Sequence, residues 1–99
     1  MDTDDRLYIV AYDIGNQKRW RRVWKIMNGY GDWLQLSVFQ CRLSRRRRAQ
    51  LETALLELIH HTEDKVVVID VGPADAVRPK VVALGQAGFE PVERKVVII

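Results

Sequence analysis

Hydrophobic and polar positions along the chain alternate between two periods, and the switches between them outline the elements. Leu7 to Tyr12 is an unbroken apolar run that stops at Asp13 and the turn signals Gly15 and Asn16, which predicts a first strand. From Asn16, a ready helix cap, the apolar positions Trp20, Val23, Met27 and Tyr30, joined by Trp24, recur at helical spacing until Gly29 and Gly31. Lys18, Arg22 and Lys25 lie opposite that stripe, with Arg21 beside them, so one helix face packs and the other is free. Trp33 to Leu43 reads as one long second strand, with Leu34, Leu36 and Val38 on one face and Trp33, Gln35, Ser37, Phe39 and Cys41 on the other. Ser44 caps a second helix whose buried side is Leu51, Ala54, Leu55, Leu58 and Ile59, ending at His60, His61 and Thr62.

Beyond that helix the pattern changes character. Lys65 to Val71 is a strand apolar at both parities, stopped by Gly72 and Pro73. Ala76 to Leu84 predicts a short helix or irregular turn, followed by a brief strand at Phe89 to Val92 and a terminal strand at Lys95 to Ile99. Strands and helices in this order predict an α+β, ferredoxin-like βαββαβ sandwich with an additional C-terminal strand. Two helices cover only one side of a sheet. The third and last strands are apolar on both sides, so a second copy packed against the open sheet face is the expected cover, with residues 93–99 adding to the partner's sheet edge.

With 99 residues and 47% hydrophobic content, the chain accommodates a single domain, 1–99. Cys41 is its only cysteine, which excludes an intramolecular disulfide and leaves a small buried strand residue. Met1 to Arg6 is acidic and polar, unlike a signal peptide, and no apolar run approaches the roughly 18 residues that span a bilayer. A cytoplasmic protein with no membrane partner is expected.

Charge is distributed unevenly. Ile14 to Leu51 holds ten of the sixteen Lys and Arg residues and one acid, Asp32. Asp13, a lone carboxylate at a strand end beside this basic stretch, suits a divalent metal together with a polyanion such as nucleic acid. The plainer alternative is a carboxylate that caps the next helix or makes a turn. Arg45-Arg46-Arg47-Arg48 opens the second helix, where the dipole disfavours cations by ~0.3 to 1 kcal/mol each. Together with Arg19, Arg21, Arg22, Lys25 and Arg42, this run reads as a surface for nucleic-acid backbone rather than sequence; the alternative is a solvated face. His60 and His61 point about 100° apart on a helix and do not converge on a metal, Ser37 lacks a spaced triad, and no phosphate-cradling loop or zinc spacing is present.

Tyr12-Asp13-Ile14, the basic helix Lys18-Arg19-Trp20-Arg21-Arg22-Val23, Tyr30-Gly31 and above all Gln35-Leu36-Ser37-Val38-Phe39-Gln40-Cys41-Arg42-Leu43 resemble the second of the core CRISPR-associated proteins. The resemblance implies a ferredoxin-like homodimer acting in spacer acquisition beside an integrase subunit. It further implies a metal-dependent endonuclease on RNA or duplex DNA, with Asp13 as the catalytic and metal residue, Mg²⁺ or Mn²⁺ as the cofactor, and Phe39 near the dimer seam. Trp20 and Trp33 stand where many members carry arginine, leaving base stacking or plain packing open for each indole, and Gln40 stands where a glutamate is frequent. A non-catalytic architectural adaptor that bridges integrase and captured DNA is the alternative from another class. An RNA-binding module and a toxin nuclease on the same fold are more distant readings.

Overall fold

The computed structural model describes residues 4–85 and 96–98. Its elements are β1 (Arg6–Asp13), α1 (Gln17–Asn28), β2 (Asp32–Gln35), β3 (Val38–Leu43), α2 (Arg45–Leu58), β4 (Lys65–Pro73), β5 (Val81–Ala83) and β6 (Val96–Ile98). The first six follow the βαββαβ order. They build a four-stranded antiparallel sheet in the order β2-β3-β1-β4, while β5 and β6 form a separate parallel pair.

Both helices start where the cap residues direct. The Asn16 side chain accepts from Arg19 N at 3.0 Å and the Ser44 hydroxyl from Arg47 N at 3.1 Å, each satisfying a first-turn amide. Alternate residues of β1 and β3 then meet the helices. Tyr8, Val10 and Tyr12 from β1 and Phe39, Cys41 and Leu43 from β3 form one buried core with Val23 and Met27 of α1 and Leu51 and Leu55 of α2. Each fully buried aliphatic or aromatic side chain there contributes about 1.5 to 3 kcal/mol. Gly31, where the chain leaves α1 for β2, passes directly over β3, and a Cβ on it would lie 2.5 Å from Cys41 Sγ and 2.6 Å from the Gln40 carbonyl oxygen.

Two expectations are corrected, and the choice between a short helix and an irregular turn over Ala76 to Leu84 falls to the irregular turn as far as Lys80. The single strand expected over Trp33 to Leu43 is a hairpin, because Leu36 adopts a φ of 20° and the chain reverses at Leu36 and Ser37. The indole of Trp33 donates to the Leu36 carbonyl at 3.1 Å and closes that turn. The segment Ala76 to Leu84 contains no helix: the Ala76 and Val77 amides bond back to the Pro73 carbonyl, Pro79 lacks a donor to continue a helix, and the chain extends into β5. The second helix ends at Leu58, its final turn closed by Ile59 N donating to the Leu55 carbonyl, and does not reach His60 to Thr62. The strand expected at Phe89 to Val92 lies outside the described residues. Among the described residues, no helix is long and apolar enough to cross a membrane.

The sheet's second face explains the apolar pattern of β4. Val66 and Val68 pack beneath the helices, whereas Val67, Ile69 and Val71 point the other way and remain 40%, 49% and 38% exposed. Ile9 lies opposite Ile69, and Ala11 between Val67 and Val38, on the same open face.

Candidate metal and nucleic-acid site

Asp13 is the last residue of β1 and shares the parity of Ile9 and Ala11, so it stands at one end of the open sheet face. Ladder pairing with β3 ends two residues earlier, at Ala11 and Val38, with Tyr12 N still donating to the Ser37 carbonyl, and among the described residues the ladder partner of Asp13 is Lys65, the first residue of β4. The carboxylate is exposed, and among the described residues it forms no ion pair. Among the same residues no group of three or more His, Cys, Asp or Glu side chains could enclose a metal. Hard cations such as Mg²⁺ take carboxylate oxygen, keep several waters and need only one or two protein carboxylates when substrate phosphate fills other positions. Asp13 offers one such carboxylate.

The turn behind Asp13 is held by a network that pattern reading missed. The Asp64 side chain is fully buried, with no exposed surface. Its Oδ1 accepts from Gly15 N at 2.8 Å and Arg19 Nη2 at 3.1 Å, and its Oδ2 accepts from His60 N at 2.7 Å and Arg19 Nε at 2.8 Å. Arg19 Nη2 also donates to Glu63 Oε1 at 3.0 Å. Hydrogen bonds from the Arg19 guanidinium, and then from the two backbone amides, hold the Asp64 carboxyl well below the usual carboxylate range. No spacing rule links residues this far apart. The available signal was only an acidic pair, Glu63-Asp64, just past a helix end.

The expected basic surface divides into cations that are free and cations that are spent inside the fold. Lys18, Arg21, Arg22 and Lys25 are exposed along the outer side of α1, and Arg45 and Arg46 are exposed at the start of α2. Arg19 is committed to Asp64. Arg42 Nη1 donates to the Ala74 carbonyl at 3.2 Å. Arg47 donates to the Gly29 carbonyl at 3.2 Å with its guanidinium 4.7 Å above the Tyr30 ring, and Arg48 pairs with Glu52 at 3.0 Å beside Tyr8. The arginine run and Asp13 also lie at opposite ends of the subunit. Arg6 pairs with Leu43, just ahead of α2, whereas Asp13 closes the other end of β1, roughly 23 Å away at ~3.3 Å per residue.

The indoles and the expected seam residue are structural. Trp20 Nε1 donates to Ser37 Oγ at 2.8 Å, and its ring lies 6.5 Å from that of Tyr12; Trp33 meets Trp24 edge-on at 5.9 Å. Phe39 is fully buried on the helix side, 6.3 Å from Tyr12 and 6.4 Å from Trp24, so its ring serves the subunit's own core and leaves the open face to its neighbours Val38 and Gln40. Gln40 Oε1 on that face is buried without a hydrogen-bond partner among the described residues. His60 Nδ1 lies 3.1 Å from Thr62 Oγ1, and both histidines are exposed. Cys41 is buried, and burial pushes its thiol up to about 12, as expected of a packing residue.

The βαββαβ order and its antiparallel sheet place the subunit among the ferredoxin-like domains, a fold that carries many functions, and comparison with known proteins narrows the class. The family described as CRISPR associated protein Cas2 matches residues 6–78. A CRISPR-associated endoribonuclease Cas2 of Geobacter sulfurreducens is 54% identical over 95 residues, covering 96% of this chain and 99% of the relative. A second protein with that description, from Rhodospirillum rubrum, is 50% identical over 95 residues, covering 96% and 92%. Among solved structures, a hypothetical protein of Thermus thermophilus superposes with a TM-score of 0.68 at 30% identity, covering 89% of this chain and 96% of its own. A structure titled only as cas2 superposes with a TM-score of 0.67 at 29% identity, covering 91% and 97%. The chain belongs to the Cas2 family.

Proposed function

We propose that this chain is a homodimeric, divalent-metal-dependent endonuclease of CRISPR adaptation, in which two copies meet through their open sheet faces and bring their Asp13 carboxylates to a shared site. The carrying observation is the position of Asp13, exposed at the end of a face on which Val67, Ile69 and Val71 remain exposed. Isologous pairing of one patch with itself would bring the two Asp13 carboxylates together if the two-fold axis passes close to that end of the face. Relatives named as endoribonucleases favour RNA as the substrate, with duplex DNA the alternative.

A bound Mg²⁺ or Mn²⁺ would offset charge on the phosphoryl group and acidify a water for attack. The protein's share is to hold the cation through Asp13 and to bind substrate backbone through the free cations Lys18, Arg21, Arg22, Lys25, Arg45 and Arg46. Since those side chains address phosphates, recognition follows backbone and shape. Among the described residues β4 is an edge strand, and in this reading residues 93–99 of the partner pair along it through the edge of β6 that does not face β5.

An integrase-bridging, non-catalytic adaptor is the second reading. It draws on the strand-length separation between Asp13 and Arg45–Arg46, which distributes binding over the molecule instead of around one centre. Replacing Asp13 with asparagine keeps size and removes charge. Cleavage of RNA or duplex DNA should then fall by orders of magnitude while folding, dimer mass and binding are retained. Cleavage at the wild-type rate in the variant, or by wild type in excess chelator, would replace the nuclease reading with the adaptor.

A further inference from the structure

We infer that Asp64 and Arg19 are positioning residues for Asp13: they clamp the terminal rung of the sheet so that the carboxylate is held in place for the cation. This rests on the reading of Asp13 as the metal residue given above.

On the β3 side the last tie lies one residue short of Asp13, where Tyr12 N donates to the Ser37 carbonyl at 3.0 Å. Asp13 is the end of its strand, its β3-side ladder pairing is already over, and its remaining ladder partner, Lys65, is itself the first residue of β4. A terminal rung frays unless something closes it. Asp64 immediately precedes Lys65 and bonds the amide of Gly15, two residues beyond Asp13, so a single carboxylate ties together the two chain segments that flank the rung. The same carboxylate takes the His60 amide and two Arg19 nitrogens, which anchor it to the start of the α2–β4 loop and to the first turn of α1.

The clamp is packed as well as bonded. A Cβ on Gly15 would sit 3.3 Å from the Glu63 carbonyl oxygen and 3.5 Å from Glu63 Cβ, so the turn lies directly against the acidic pair. Asp64 accepts four donated bonds and offers none. An asparagine there keeps the volume but presents an NH₂ toward groups that are all donors, so at least one of the four bonds becomes a donor–donor clash. The carboxylate of Asp13 then samples many positions, and a cation that needs a fixed oxygen is bound less tightly.

The test is Mn²⁺ binding to the full-length dimer, followed by electron paramagnetic resonance, at a temperature where circular dichroism shows every variant folded. Asp64→Asn should raise the Mn²⁺ half-saturation concentration about 10-fold or more, the scale seen when outer-shell support of a metal ligand is removed. Arg19→Gln should shift it in the same direction by less. Leu58→Ala, a partly buried core position at the same end of α2, should lower the melting temperature and leave Mn²⁺ binding unchanged. Amide exchange supplies a readout independent of metal: Gly15 N–H should be protected in wild type and lose that protection in Asp64→Asn, while Val10 N–H stays protected.

A folded Asp64→Asn with wild-type Mn²⁺ affinity, or an equal shift in Leu58→Ala, overturns the inference. Should Asp64→Asn fail to fold, a wild-type Mn²⁺ affinity in Arg19→Gln, or unprotected Gly15 N–H in wild type, overturns it instead. Asp13→Asn run in parallel separates the two levels. If it leaves Mn²⁺ binding intact, the metal reading of Asp13 fails and takes this inference with it; if it abolishes binding while Asp64→Asn does not weaken it, only the clamp fails.

Discussion

Ser37 sits within the sequence element that most strongly suggested the family, and its hydroxyl has a defined mechanical task. It accepts from Trp20 Nε1 at 2.8 Å, while the Ser37 carbonyl separately accepts from Tyr12 N at 3.0 Å. Ser37→Ala therefore removes the side-chain bond and leaves the backbone bond in place. The indole N–H lies in a partly buried position and is left without its acceptor, a loss of about 1 to 3 kcal/mol for a buried donor. Water can reach a partly buried group, which sets the expectation at about 1 to 2 kcal/mol. In a domain of this size each kcal/mol moves the melting temperature by about 4 to 8 °C, so the variant should melt about 4 to 16 °C lower. Far-UV circular dichroism at constant protomer concentration is the assay, because the proposed dimer would make the midpoint concentration-dependent. Trp20→Phe supplies the other corner of a double-mutant cycle. With no indole N–H to strand, Ser37→Ala should cost much less in that background, giving a coupling of about 1 kcal/mol. A midpoint within about 2 °C of wild type, or an equal loss in both backgrounds, refutes the assignment. Lost cleavage at unchanged stability would instead put the hydroxyl into the chemistry.

Gly31→Ala should destabilise by about 1 to 3 kcal/mol or prevent folding, since its Cβ meets Cys41 Sγ and the Gln40 carbonyl oxygen well inside van der Waals distance; chemical denaturation reads this directly. The double substitution Arg45→Ala, Arg46→Ala should reduce the log-log salt slope of duplex DNA binding by up to about 1.8, at about 0.9 for each phosphate no longer neutralised. Arg47→Ala, Arg48→Ala should mainly lower stability, because those guanidiniums are engaged with Gly29, Tyr30 and Glu52, and an equal slope change from both pairs contradicts the division. Burial raises both the Cys41 thiol and the Tyr12 phenol to about 12. The unfolded chain releases these protons from about pH 8.5 and 10 respectively, while the folded chain keeps them, so stability should fall as pH rises above about 9. Cys41→Ala should flatten that decline in urea titrations; an unchanged slope would remove the thiol from the linkage.

Periodicity, caps and composition carried the local architecture. The α1 stripe, the caps at Asn16 and Ser44 and the end of β1 at Asp13 are consequences of residues within a few positions of one another, where sequence patterns are informative. The basic middle of the chain was equally plain, since charge is read by counting. Tertiary structure decided which of those charges remain available. Arg19 and Arg22 are alike in sequence, yet Arg19 is neutralised by Asp64, 45 positions away, through an ion pair that exists only once the α2–β4 loop folds back onto the start of α1. The hairpin at Leu36 and Ser37 was hidden for a related reason: leucine carries no turn signal, and its φ of 20° is sustained by the Trp33 indole and the strand partners around it. The apolar doublets of β4 could announce two faces but not what covers them. The helices take Val66 and Val68, and Val67, Ile69 and Val71 stay exposed, because among the described residues both helices lie on one side of the sheet.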